Sequence, residues 1–157
     1  IHATALMDSG SDTTYVSSSL VKKCSPPIVS HVNVKYAAFG THHPNVKLST
    51  QYSFKIITHN DTLLNLNAIE IPVICPPMRR SHVSSSLLSD LHPLADSYGS
   101  DRDTQIDLLI GLDNYWHILT GPVKHLQPGL VAQQSLFGWI LSGSDTTSSQ
   151  LLSFQQP

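Results

Sequence analysis

Between residues 29 and 74 the chain is written as extended runs separated by turn residues, and this constrains its fold more than anything else in the sequence. In 29–38, Val32, Val34 and Tyr36 recur at every second position, the period that lines one face of a strand. Phe39-Gly40-Thr41-His42-His43-Pro44-Asn45 makes a turn, and 46–57 returns as a second strand with Leu48, Tyr52, Phe54 and Ile56 apolar. The pair predicts a β-hairpin. Asn60-Asp61 marks the next turn, and 63–74 reads as another long strand, closed by Pro72 and Pro76-Pro77.

Shorter pieces flank this block. Residues 2–7 are mostly apolar and run into the turn-forming cluster Asp8-Ser9-Gly10-Ser11-Asp12, after which 13–16 reads as extended again. Residues 17–23 predict a short helix capped by Ser17, Ser18 or Ser19 and ended by Pro26-Pro27. From 75 to 105 the periodicity is lost, which predicts an exposed excursion with a short helix near 84–91. Ile106-Asp107-Leu108-Leu109-Ile110-Gly111 reads as a buried strand ending in glycine. Asp113 is placed to cap a brief helix through Leu119 that Gly121-Pro122 stops. Residues 123–125 and 130–142 contain the last strands, with Phe137, Trp139 and Leu141 on one face. The expected class is all-β with short helices, in a single domain over 1–143, followed by a flexible Ser/Thr/Gln-rich linker tail over 144–157.

Composition removes some functions. A net charge of −2 gives no basic footprint for nucleic acid, and no run of about 18 apolar residues predicts a membrane span. With 157 residues the chain is long enough to bury a core without disulfides, so Cys24 and Cys75 are expected to be buried, reduced side chains. Opening on Ile1 without a signal-peptide pattern, the sequence reads as a segment of something longer.

Chemistry concentrates at one place. Ala5-Leu6-Met7 delivers Asp8 into Ser9-Gly10-Ser11, and roughly a hundred positions later comes Leu109-Ile110-Gly111. An apolar strand, Asp-Ser-Gly and a distant apolar-apolar-Gly together resemble the retropepsin-like aspartic proteases. The segments Pro93-Leu94-Ala95-Asp96-Ser97-Tyr98-Gly99, Ile106 to Leu119, Thr120-Gly121-Pro122 and Leu136-Phe137-Gly138-Trp139-Ile140-Leu141-Ser142-Gly143 are similar to the protease segment of Pao/BEL-type long-terminal-repeat retrotransposon polyproteins. The resemblance spans about residues 3 to 143.

The resemblance implies a closed, mostly antiparallel β-barrel with a flap hairpin and a short helix, active as a two-fold homodimer. It implies an aspartic endopeptidase that processes its own polyprotein, an extended peptide substrate, no cofactor or metal, and a cytoplasmic or virus-like-particle location inside the cell. Asp8 takes the catalytic role. Ser9, Gly10 and Ser11 support its loop: Ser9 bonding across the dimer axis, Gly10 offering an amide, and Ser11, in place of the alanine of many viral members, donating to the ionised carboxylate. Asp12, Ala38, Phe39 and Gly40 fall to substrate binding, with the last three in the flap. Ile110 and Gly111 lie beneath the catalytic loop.

Only one Asp-[Ser/Thr]-Gly is present, and the chemistry needs two carboxylates sharing a proton, so a second chain must supply the other. Two other readings stand beside this one. The first is a catalytically silent protease-like dimer that binds peptides or supports assembly. The second is a monomer whose activity awaits the larger polyprotein. Elsewhere the plain readings are preferred. His42-His43 are loop histidines without a third ligand, and Arg79-Arg80 is a solvated pair. Asn60-Asp61-Thr62 is a sequon without a secretion signal, and Tyr115, Trp116 and Trp139 are core aromatics.

Overall fold

The computed structural model describes residues 1–36, 45–79, 83–96 and 103–143. It divides into two compact units, one made of Ile1–Met78 and Thr104–His117, the other of Arg79–Asp103 and Ile118–Pro157. The elements run β1 (Ala5–Met7), β2 (Tyr15–Ser17), α1 (Ser18–Cys24), β3 (Ile28–Tyr36), β4 (Asn45–Ile57) and β5 (Leu63–Ile71). After these come β6 (Met78–Arg79), α2 (Ser85–Leu88), β7 (Asp103–Thr104), β8 (Leu108–Ile110), α3 (Leu112–Ile118), β9 (Leu119–Gln127), β10 (Leu130–Ser135) and β11 (Gly138–Gly143).

The first unit is built on a six-stranded sheet of order β1-β8-β2-β5-β4-β3. Its middle is the antiparallel β3-β4-β5 meander. Tyr52 faces Ala68, Phe54 faces Leu66 and Ile56 faces Leu64, so one face is apolar. Phe54, Leu66 and Ala68 are buried together with Val16, Leu108 and Ile110. Each large side chain buried this way contributes about 1.5–3 kcal/mol relative to exposure. The β4–β5 turn holds Asp61 in the left-handed region at φ 58°, and the Thr58 amide donates to the Thr62 carbonyl at 2.9 Å. An aspartate tolerates that conformation better than most side chains do.

α1 forms where serines precede Leu20 and Val21. Ser17, extended at ψ 144°, accepts from the Leu20 amide, which satisfies one free donor of the first turn. Ser25 ends the helix in the left-handed region, its amide donating to the Val21 carbonyl, while Lys22 and Lys23 sit in the last turn where the helix dipole favours cations. β5 stops at Ile71, three residues short of the expected end, because Pro72 has no amide to continue the ladder.

β9, β10 and β11 form a separate meander in the second unit, order β11-β10-β9, and β6 pairs with β7 in a two-stranded sheet. Pro128-Gly129 turns β9 into β10, with Gly129 at φ 82°, a value that favours glycine. The run over 130–142 holds two strands, β10 and β11, with Phe137 in the bend between them and not on a strand face with Trp139 and Leu141. Ser135 and Gly138 pair across the bend between them, and the Ser135 hydroxyl donates to the Gly138 carbonyl at 2.7 Å. Gly121-Pro122 does not stop α3 but lies inside β9, an edge strand, where a missing amide is tolerated. Ala95 and Trp139 bond backbone to backbone, adding residues 93–95 alongside β11.

Several expectations are therefore corrected. The described residues form no closed barrel: β1 and β3 are free edges of an open sheet, and residues 119–143 pair among themselves. Local turns close at little entropic cost, which favours the separate meander over extension of the first sheet. The mostly β class stands. The 75–105 stretch is not wholly exposed, since Val83 and Leu91 are buried. Trp116 is no core residue, being 70% exposed and meeting Tyr115 edge-on at 5.2 Å. Cys24 and Cys75 are free thiols, each half-buried. The linker tail over 144–157, His42-His43 and Arg80 lie outside the described residues.

Candidate active site

Asp8 follows directly on β1, a three-residue strand that pairs in parallel with β8 through Ala5–Leu108, Leu6–Leu109 and Met7–Ile110. The Asp8 amide donates to the Ile110 carbonyl at 2.9 Å and carries the ladder one residue further, which fixes where the side chain leaves the sheet. Asp107 ties the other end. Its carboxylate accepts from the Thr4 amide at 3.0 Å while its own amide donates to the Thr4 carbonyl at 2.9 Å.

The chain then turns. The Ser11 amide donates to the Asp8 carbonyl at 3.3 Å, closing a four-residue turn with Ser9 and Gly10 exposed at its tip. The half-buried Asp8 carboxylate accepts from the Gly10 amide at 2.9 Å through Oδ1. A Cβ on Gly10 would lie 3.1 Å from that oxygen, so a bare backbone is what allows the amide this close. Asp12 is exposed on the far side of the turn.

Ser11 does something other than expected. Its hydroxyl donates to the Thr13 carbonyl at 2.8 Å and so braces the loop; it does not donate to Asp8. The backbone carbonyl of Ser11 accepts from the Leu112 amide at 2.8 Å, seating the first turn of α3 against the same loop. Gly111 precedes α3, its carbonyl accepting from the Asn114 and Tyr115 amides at 3.0 and 2.8 Å. It packs so tightly on Thr13 that an added Cβ would lie 2.7 Å from the Thr13 amide nitrogen. Ile110, 2% exposed, fills the space below.

Thr14, Asp113 and Asn114 were not among the residues singled out as functional by sequence, yet they close the loop. Thr14 is fully buried. Its amide and hydroxyl both donate to the Asp113 carboxylate, at 3.1 Å to Oδ2 and 2.6 Å to Oδ1. The same hydroxyl accepts from the Gly111 amide at 3.1 Å and from Asn114 Nδ2 at 3.0 Å. Asp113, expected as a helix cap, lies instead in the first turn of α3 and serves the loop. No local pattern announces this, because the partners are 99 positions apart.

The structure thus brings the loop of Asp8, Ser9, Gly10, Ser11 and Asp12 against the buried Ile110 and Gly111 at the β8–α3 junction. Ala38, Phe39 and Gly40, assigned to the flap, lie outside the described residues. Among the described residues no three His, Cys, Asp or Glu side chains are placed to hold a metal ion, and no helix is long and apolar enough to cross a membrane. The arrangement holds the half-buried Asp8 carboxylate at a braced turn, with the Gly10 amide donating to it. Comparison with protein families, with characterised proteins and with solved structures found no match to this chain.

Proposed function

We propose that the chain is one half of an aspartic endopeptidase, with Asp8 paired to its counterpart in a second copy. The carrying observation is the Asp8 turn: a half-buried carboxylate accepts the Gly10 amide at 2.9 Å and is braced from β8 and α3. Turns that merely reverse a chain seldom need support from a strand and a helix a hundred residues away. A carboxylate that must be held to a fraction of an ångström does need it.

In the dimer, the two Asp8 carboxylates share one proton, since like charges a few ångströms apart cannot both ionise without large cost. The ionised member takes a proton from a water that attacks the scissile carbonyl. The protonated member donates to the developing oxyanion, and the tetrahedral intermediate collapses with transfer of a proton to the leaving amine. The Gly10 amide orients one carboxylate oxygen. Substrate lies extended, held by main-chain hydrogen bonds, and processing of the parent polyprotein is the biological role that fits.

The test is cleavage of a peptide library by the purified chain, with Asp8→Asn as control and light scattering for mass. The expected result is cleavage by a dimer and a loss of roughly 10²–10⁴-fold or more in Asp8→Asn, the range associated with removing an acid–base group. Inhibitors that mimic the tetrahedral intermediate should block the wild-type protein. Full turnover in Asp8→Asn, or cleavage by a strict monomer, sinks the proposal. Peptide binding without any cleavage favours the silent dimer.

A further inference from the structure

The most connected polar group around the candidate site does not belong to the Asp-Ser-Gly turn. It is the Thr14 hydroxyl, which donates once and accepts twice: to Asp113 Oδ1 at 2.6 Å, from Gly111 N at 3.1 Å and from Asn114 Nδ2 at 3.0 Å. A hydroxyl has one donor and two acceptor sites, so this one is used completely. The Thr14 amide adds a second bond to Asp113, at 3.1 Å to Oδ2, and the Thr14 carbonyl accepts from the Ile69 amide at 3.0 Å. One fully buried residue therefore joins the end of the Asp8 loop to α3, to the β8–α3 junction and to β5. The two ends of the loop are then fixed independently, Asp8 by Ile110 and Thr14 by Asp113.

We infer that Thr14 and Asp113 form a lock that positions the Asp8 carboxylate, with Thr14 as a positioning residue. The inference rests on the proposed pairing of two Asp8 carboxylates. If their separation sets how strongly they repel, whatever fixes each loop also sets how far apart the pair's two apparent pKa values lie. A loosened loop lets the carboxylates move apart, weakens the repulsion and draws the acid and alkaline limbs of the rate profile together. Removing the hydroxyl leaves the buried Gly111 amide without this acceptor and frees the Asp113 and Asn114 side chains of α3 from the end of the loop.

The experiment compares Thr14→Val, which keeps the shape and removes the hydroxyl, with Thr14→Ser, which keeps the hydroxyl. Asp113→Asn serves as a second disruption should Thr14→Val fold poorly. Two readouts are taken: the pH profile of cleavage, normalised to active sites by a tight-binding inhibitor, and amide hydrogen exchange. Asp12, Tyr15, Asp107, Asp113, Tyr115 and His117 are the other titratable side chains on or beside the elements that carry the loop, and all are identical in the two Thr14 variants. In Thr14→Val the limbs should converge and kcat should fall about tenfold or more. Exchange should rise roughly ten- to hundredfold at the amides of Asp8 and Leu112 and not across the sheet, the factor expected when buried polar groups lose a partner. Thr14→Ser should restore both. A reduced amount of active protein with an unchanged profile shape and uniform exchange would be a merely structural effect and overturns the inference. That result leaves the endopeptidase reading intact if Asp8→Asn is inactive. Should the wild-type protein cut nothing while exchange rises only in the loop, the catalytic reading fails and the lock remains.

Discussion

Gly111 lies against Thr13 so closely that a side chain at 111 would sit 2.7 Å from the Thr13 amide nitrogen and nearer still to its carbonyl. These two residues come from opposite ends of the first unit and meet as backbone on backbone, with Gly111 itself buried. Gly111→Ala should cost about 3 kcal/mol or more, the upper end of overpacking, because neither partner is a flexible side chain that can give way. Urea unfolding checks this. A cost below about 1 kcal/mol would mean the contact is looser than described.

Ser11→Ala separates two roles for the hydroxyl. Because that hydroxyl braces the Thr13 carbonyl at 2.8 Å, its loss should lower stability by about 0.5–1.5 kcal/mol, as a typical hydrogen bond does. The shape of the pH–rate profile should be unchanged. An alkaline shift of the acid limb in Ser11→Ala would restore the role first expected for Ser11, donation to the ionised carboxylate.

At the start of α1, Ser17 is 2% exposed and its hydroxyl accepts from the Leu20 amide at 3.3 Å. Ser17→Ala should therefore destabilise the protein by about 0.5–2 kcal/mol, while Ser17→Asp or Ser17→Asn can keep the cap only if the larger group fits the buried position. Thermal unfolding of the three variants ranks them, with alanine below wild type in every case.

Tyr52 offers a pH handle. Its partial burial, and then the neighbouring Glu70 carboxylate, raise its phenol above the ordinary value of 10.0. The folded state thus holds this proton more tightly than the unfolded chain does. The stabilisation is fully present below about pH 10 and is lost as pH rises through the folded-state value. Glu70→Gln should move the Tyr52 midpoint down while leaving it above 10.0, because burial persists. The chain has five tyrosines, so NMR titration with Tyr52 assigned by its Tyr52→Phe variant reads the midpoint, and a midpoint that does not move excludes the Glu70 contribution.

Trp116, 70% exposed on α3, should be dispensable for folding of the isolated chain: Trp116→Ala is expected to change stability by about 0.5 kcal/mol or less, as surface substitutions do. Leu66→Ala, from a side chain 1% exposed, should cost about 2–5 kcal/mol by comparison. Chemical denaturation of both variants side by side settles the contrast.

Legibility from sequence followed the range of the interaction concerned. The hairpin of β3 and β4 and the short helix begun by Ser17 were readable, because alternation and capping are written within a few residues. So was the strand ending in Gly111. Phe137 was placed on a strand face with Trp139 and Leu141, whereas it lies in the bend, because the apolar residues around it keep a strand-like pattern through the turn. Trp116 was misjudged because an aromatic on a short helix has no periodicity long enough to show which side it faces. The barrel expectation failed at the edges, since pairing between distant strands leaves no local mark. At the site, Asp8 to Ser11 were found as a motif, whereas Thr14 looks like any polar residue entering a strand. Only its placement opposite Asp113 reveals its use.

The parallel pairing of Ala5–Met7 with Leu108–Ile110 also dictates when the site can exist. The long-range bonds that brace the Asp8 turn come mainly from residues 107–114, so a ribosome must make most of the chain before that acid has its full scaffold. Contacts this remote in sequence form late and slowly, because a long segment has to be confined before any of them is rewarded. During synthesis the growing polypeptide therefore carries the acid without its distant supports, and a fragment ending before residue 107 leaves Asp8 only the bonds of its own turn. The order in which the chain folds thus acts as a timer on when its Asp8 turn is braced.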